Sequence, residues 1–126
     1  MHETTQLCIR QLKKYITPQT ELLDVGTGSG ILAIVALMYG AGHAVGTDLD
    51  PCATEAVREN MEMNGIDPAK FEMMIGNIIT EKEIQDRVGY GKYDIVVANI
   101  LAEVLVPLML VVAKCLKPGG TVITSG

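Results

Sequence analysis

The chain has 126 residues, 48% hydrophobic and 20% charged, enough at roughly 150 residues per domain for one domain with a substantial core. Thirteen Gly and five Pro without a repeat or polar tract exclude collagen-like and disordered chains, and four Tyr, one Phe and no Trp leave little material for a base-stacking surface. Ten Lys and Arg against fifteen Asp and Glu give a formal charge of -5, which disfavours direct nucleic-acid binding, and no apolar stretch reaches the roughly 20 residues that would make a membrane a partner.

Taken in order, the pattern alternates helix and strand. Thr4 to Ile16 place Leu7, Cys8, Leu12 and Ile16 on one face, predicting an amphipathic helix that Pro18 closes. Glu21 to Val25 is a short apolar strand, and Gly26 to Gly30 a tight loop into the apolar helix Ile31 to Tyr39. A second strand, His43 to Leu49, leads to Asp50 as N-cap, Pro51 at the first helical position, and a helix Cys52 to Asn64 ended by Gly65. Phe71 to Ile75 is a third strand and Thr80 to Arg87 a short polar helix. Tyr93 to Ala98 is a fourth strand with the continuous apolar run of a buried parallel one. Ile100 to Leu116 follows as one long helix kinked at Pro107, then Lys117 to Gly120 turns into a fifth strand, Thr121 to Thr124.

Strands separated by helices need crossovers, so the expected fold is α/β: a doubly wound, mostly parallel sheet with helices on both faces and ligands bound outside the C-terminal strand ends. The sequence stops at Gly126 directly after the fifth strand, so residues 1–126 read as a domain fragment truncated there. The loops after the strands then carry the function: Asp24 to Gly30, Asp48 to Asp50, Gly76 with Asn77, and Asn99 with Ile100.

Leu23-Asp24-Val25-Gly26-Thr27-Gly28-Ser29-Gly30 follows a strand and opens a helix, so its backbone can approach a ligand and offer amides at a helix N-terminus. Three glycines alone also shape an ordinary tight turn. A dinucleotide fingerprint would need its third glycine at position 31, where the chain has Ile31. Asp48 ends the second strand 22 residues after Gly26, the separation at which an acid can accept hydrogen bonds from both hydroxyls of a ribose. Asp50 before Pro51 is explained as a helix cap; a cap does not explain Asp48.

With these motifs the sequence resembles the class I S-adenosylmethionine-dependent methyltransferases, and the expected fold becomes their Rossmann-like sheet. The resemblance implies S-adenosyl-L-methionine as cofactor, with Asp24, Gly26, Gly28 and Gly30 behind its methionine portion and Asp48 on the ribose. It also implies Leu49 against adenine and the Gly76-Asn77 loop at the exocyclic amine. Lys117-Pro118-Gly119-Gly120 matches the turn before the family's fifth strand. A closer resemblance, to ribosomal protein L-eleven methyltransferases (PrmA-type), rests on His2-Glu3-Thr4-Thr5, Asp48-Leu49-Asp50-Pro51, Glu59-Asn60 with Asn64-Gly65, and Val97-Ala98-Asn99-Ile100-Leu101-Ala102. That resemblance implies a cytoplasmic enzyme methylating lysine side chains or the N-terminal α-amine of a large-subunit ribosomal protein. It also implies an N-terminal substrate-recruiting domain and later strands outside residues 1–126.

Methyl transfer from a sulfonium is an in-line displacement, so the protein mainly holds a neutral amine opposite the methyl group. A lysine with pKa about 10.4 costs about 4 to 5 kcal/mol to deprotonate at pH 7, an α-amine near 7.8 about 1. Asn99 is the candidate to orient that amine, and it is equally an N-cap for the next helix. Thr4 and Thr5 cap the first helix, and the resemblance places them beside the cofactor as well. Two histidines without acids at ligand spacing give no metal site, and Cys8, Cys52 and Cys115, odd in number and far apart, read as buried reduced thiols. The alternatives are a class I methyltransferase acting on another protein or a small molecule, a nicotinamide-binding oxidoreductase domain, and a non-catalytic binding module.

Overall fold

The structure is a computed structural model describing the backbone of residues 3–99 and 102–125 and the side chains of residues 9–99 and 103–124. Within these residues five strands, β1 (Glu21–Val25), β2 (His43–Asp48), β3 (Phe71–Ile75), β4 (Tyr93–Asn99) and β5 (Leu116–Ser125), form one sheet in the order β3-β2-β1-β4-β5. Every neighbouring pair is parallel. The chain runs outward from β1 to β3 and returns to start again at β4, so the order reverses between β1 and β4.

The helices α1 (Glu3–Tyr15), α2 (Ile31–Met38), α3 (Cys52–Met63), α4 (Lys82–Val88) and α5 (Leu105–Cys115) cover both faces of the sheet. The period-2 geometry of β1 explains how: Leu22 and Leu23 point to opposite faces and both are fully buried. Leu22, Ala44, Phe71, Ile95 and Val97 pack against Leu12 of α1, Ile34 and Leu37 of α2, and Val57 and Met61 of α3. Leu23, Val25, Val45, Met74, Val96 and Ala98 pack against Ile84 and Val88 of α4 and Leu108, Val111, Val112 and Cys115 of α5. Full burial of a side chain such as Leu22 or Leu23 contributes about 1.5–3 kcal/mol, so β1 is the central support of both cores.

Three sequence expectations are corrected. The helix after β4 is not one kinked rod. A 3-10 turn at Ala102–Val104 precedes α5, and Pro107 falls in the first turn of α5, where a missing N–H costs no intrahelical bond. The fifth strand begins earlier than expected, because Leu116 already pairs with Tyr93 before the register shifts and Thr121 pairs with Ile95. Residues 117–120 bulge out between those rungs, with Pro118 unable to donate and Gly119 at φ 80°. Finally, Cys52 is exposed while Cys115 is buried, its thiol pushed up by burial. The side chain of Cys8 lies outside the described residues.

Candidate functional site

The site forms where β1 and β2 end side by side. Gly26 N and Thr27 N both donate to Thr47 O, at 2.8 and 3.1 Å, so the turn after β1 is fastened to the last residues of β2. Gly26, Gly28 and Gly30 adopt φ of 70°, 58° and 81°, left-handed values that disfavour any side chain. Their surroundings differ. A Cβ on Gly30 would lie 2.9 Å from Val57 Cγ2, whereas on Gly28 it would meet nothing within 4 Å. Gly30 is closed in by packing, and Gly28 faces the open side of the loop.

Two carboxylates hold this turn. Asp24 is only 2% exposed, and its Oδ2 accepts from Thr27 Oγ1 at 2.8 Å. Desolvation by burial pushes its pKa up to about 7, against the opposing effect of the hydrogen bonds from Thr27 and the Ala33 backbone, with Asp48 nearby adding to the rise. Asp48, half-buried at the end of β2, accepts from Gly28 N on Oδ2 at 2.8 Å and from Asp50 N on Oδ1 at 2.9 Å. A carboxylate offers about four lone-pair positions, so Asp48 can fasten the glycine loop and still accept two further hydrogen bonds. Asp50 Oδ1 accepts from Cys52 N at 2.9 Å at the start of α3, but the N-cap position itself falls on Pro51, one residue later than the sequence pattern placed it.

Beside Asp48 lies a recess lined by Val25, Gly26, Thr47, Leu49, Gly76, Asn77, Ile78, Ile79 and Val104. Leu49 stays 69% exposed at its rim, a large apolar side chain left uncovered by the chain. Asn77 Oδ1 accepts from Ile79 N at 2.9 Å, which sets the turn after β3 and holds the amide at the recess. A Cβ on Gly76 would lie 2.6 Å from Ile84 Cγ1, so only glycine lets this turn pass over α4.

The structure thus gathers Gly26, Asp48, Leu49 and Asn77 around one recess, with Gly28 tied to it and Asp24 and Gly30 beneath the loop. Asn99 is exposed at the C-terminal end of β4, outside the recess lining. The N-cap of α5 is Val104, so Asn99 does not cap that helix. Thr4 and Thr5 fall within α1, but their side chains, and all of His2, Ile100 and Leu101, lie outside the described residues. Sequence reasoning missed Thr27, Thr47, Val104 and the contact from Asn60 to the glycine loop. Thr27 had a readable signal, a hydroxyl three residues after a buried acid; the others depend on contacts distant in sequence. Among the described residues no cluster of His, Cys, Asp or Glu could hold a metal ion, and no helix is long and apolar enough to cross a membrane.

Comparison with known proteins gives a consistent result. The family model for ribosomal protein L11 methyltransferase (PrmA) matches residues 1–126. A ribosomal protein L11 methyltransferase of Lachnospira eligens is 55% identical over 125 residues, covering 99% of this chain and 39% of that protein. The chain spans about two fifths of the length of the curated relatives it matches. The crystal structure of a ribosomal protein L11 methylase from Lactobacillus delbrueckii subsp. bulgaricus superposes with a TM-score of 0.84 at 36% identity, covering 100% of this chain and 61% of that one. An RNA methyltransferase from Salinibacter ruber, in complex with S-adenosyl-L-homocysteine, shares the fold with a TM-score of 0.78 at 20% identity, over 98% of this chain and 75% of that one.

Proposed function

The chain belongs to the ribosomal protein L11 methyltransferase (PrmA) family, and from that premise we propose that it forms the donor-binding domain of an enzyme methylating amino groups of ribosomal protein L11. The methyl donor in this reading is S-adenosyl-L-methionine. The acceptors are lysine side chains or the N-terminal α-amine, and the setting is the cytoplasm. The observation that carries the reading is Asp48, whose carboxylate joins the glycine loop to the rim of an apolar recess while retaining two acceptor positions.

The residues fit this donor. Asp48 suits the two ribose hydroxyls, exposed Leu49 with Ile78 offers apolar cover to adenine, and Asn77 stands at the same recess to meet its edge. The open side of Gly28 leaves room along the loop for the amino-acid end. Asp48 and Asp50 give the site negative charge, which favours a cationic ligand. When bound, the donor supplies an electrophilic methyl group on a positively charged sulfur.

Asn99 is the residue assigned to the acceptor amine: its side-chain carbonyl accepts one hydrogen bond from the neutral amine and fixes the direction of its lone pair. Thr4 and Thr5 of α1 are assigned to the cofactor. The family match removes support for the nicotinamide alternative, whereas a different protein or small-molecule acceptor remains an outcome of the test. Calorimetry of the intact protein with S-adenosylhomocysteine and with NAD tests the donor; binding of NAD alone refutes it. Mass spectrometry of ribosomal proteins incubated with enzyme and donor tests the acceptor, and methyl groups found only on other molecules refute that part.

A further inference from the structure

The sequence pair Glu59-Asn60 with Asn64-Gly65 has no role in the reading above, yet one member reaches the glycine loop. Asn60 Nδ2 donates to Ser29 O at 2.8 Å, across 31 positions of sequence. The orientation of the amide is fixed by its partner, because a carbonyl can only accept. Asn60 lies one helical turn beyond Val57, whose side chain closes the space behind Gly30, so the same face of α3 supplies the loop with both an apolar wall and a donor. Asn64 Nδ2 donates to Asn60 O at 2.8 Å and holds the last turn of α3 in place.

The consequence concerns peptide planes. The Ser29–Gly30 peptide is held at both ends, its carbonyl by Asn60 and its N–H by Thr27 O at 2.9 Å. The Thr27–Gly28 peptide is held likewise, its carbonyl by Gly30 N and its N–H by Asp48 Oδ2 at 2.8 Å. Because peptides are planar, fixing these two planes pins the Cα atoms of Gly28 and Ser29, so the Gly28–Ser29 peptide between them, on the open side of the loop, keeps only rotation about the line joining those atoms. Asp48 secures the first half of that arrangement and Asn60 the second.

We propose that Asn60 is a positioning residue for the amino-acid end of the methyl donor, acting through the Ser29 carbonyl to aim the second half of the glycine loop. This rests on the donor assignment made above. The test measures binding of S-adenosylhomocysteine and of 5′-methylthioadenosine, which keeps the sulfur nucleoside but lacks the amino-acid end, to the intact protein and its Asn60→Asp and Asn60→Ala variants. Asn60→Asp replaces a donor by an acceptor facing a carbonyl, and its affinity for S-adenosylhomocysteine should fall about tenfold. Affinity for 5′-methylthioadenosine should stay within about twofold, because the recess and Asp48 are untouched. A purely structural contact would weaken both ligands together. Equal losses for the two ligands, or no loss for either, overturn the proposal; if Asn60→Asp does not fold, Asn60→Ala carries the same comparison with a smaller split. Wild-type protein that binds neither ligand overturns the donor assignment itself, and this proposal with it.

Discussion

The two edges of the sheet treat their carboxylates differently. At the N-terminal edge, Glu21 Oε2 lies 2.9 Å from His43 Nδ1, and Asp94 lies 3.2 Å from Lys117 Nζ while also accepting from Glu21 N at 2.8 Å. Basic side chains stand beside the acids there. At the C-terminal edge, Asp48 and Asp50 accept from backbone amides and Asp24 from a hydroxyl. Amides orient a carboxylate without cancelling its charge, so Lys117 offsets Asp94 at one edge while Asp48 and Asp50 stay available to a cationic ligand at the other.

The largest stability effect should come from the loop at that second edge. Gly30→Ala forces a left-handed residue and a contact with Val57, at a cost of about 2–5 kcal/mol in urea unfolding, whereas Gly28→Ala meets open space and costs about 1–2 from backbone strain alone. Equal costs would break the distinction between the closed and open sides of the loop. The contrast between edges is sharper in binding. Asp48→Ala should reduce S-adenosylhomocysteine affinity about a hundredfold or more, through loss of two charge-assisted hydrogen bonds, while Asp94→Asn should leave it within about twofold by calorimetry.

A pH series isolates Asp24. Its carboxyl is raised from 3.8 in the unfolded chain to about 7 when folded, so the native state binds the extra proton across that window. Stability from this group is therefore full below pH 3.8 and declines as pH rises to about 7. Asp24→Asn should flatten that decline in denaturant midpoints measured across the window, and an unchanged slope would contradict the assignment. Smallest is Lys117→Met at the opposite edge: its partly exposed pair with Asp94 should be worth under about 1 kcal/mol, with donor affinity unaltered.

Much of this architecture could be read from local pattern. The bounds of β1 and β3 follow from short apolar runs framed by Gly, Pro and polar residues, and the parallel sheet follows from the helices that separate the strands. The segment after β4 could not be read that way. Leu105, Val106, Leu108, Leu110, Val111 and Val112 are apolar all round, so periodicity could not show where the α-helix begins. The register shift of β5 was hidden too, since it depends on Tyr93 and Ile95 in a neighbouring strand. In the site, Asp48 was legible from its distance to the glycine loop. Asn60 and Val104 were not, because each reaches the site through a contact with residues far away in sequence, which no local spacing encodes.

In the proposed reading the ends of β1 and β2 jointly grip the sulfur nucleoside of the methyl donor. A crystal of the intact protein soaked with S-adenosylhomocysteine, the uncharged thioether of that nucleoside, decides it. The ribose hydroxyls should lie within hydrogen-bond distance of Asp48 and the adenine against Leu49, with the amino-acid end along Gly26 to Gly30. Density for the nucleoside in any other crevice, or ribose hydroxyls held by a residue other than Asp48, would contradict the account.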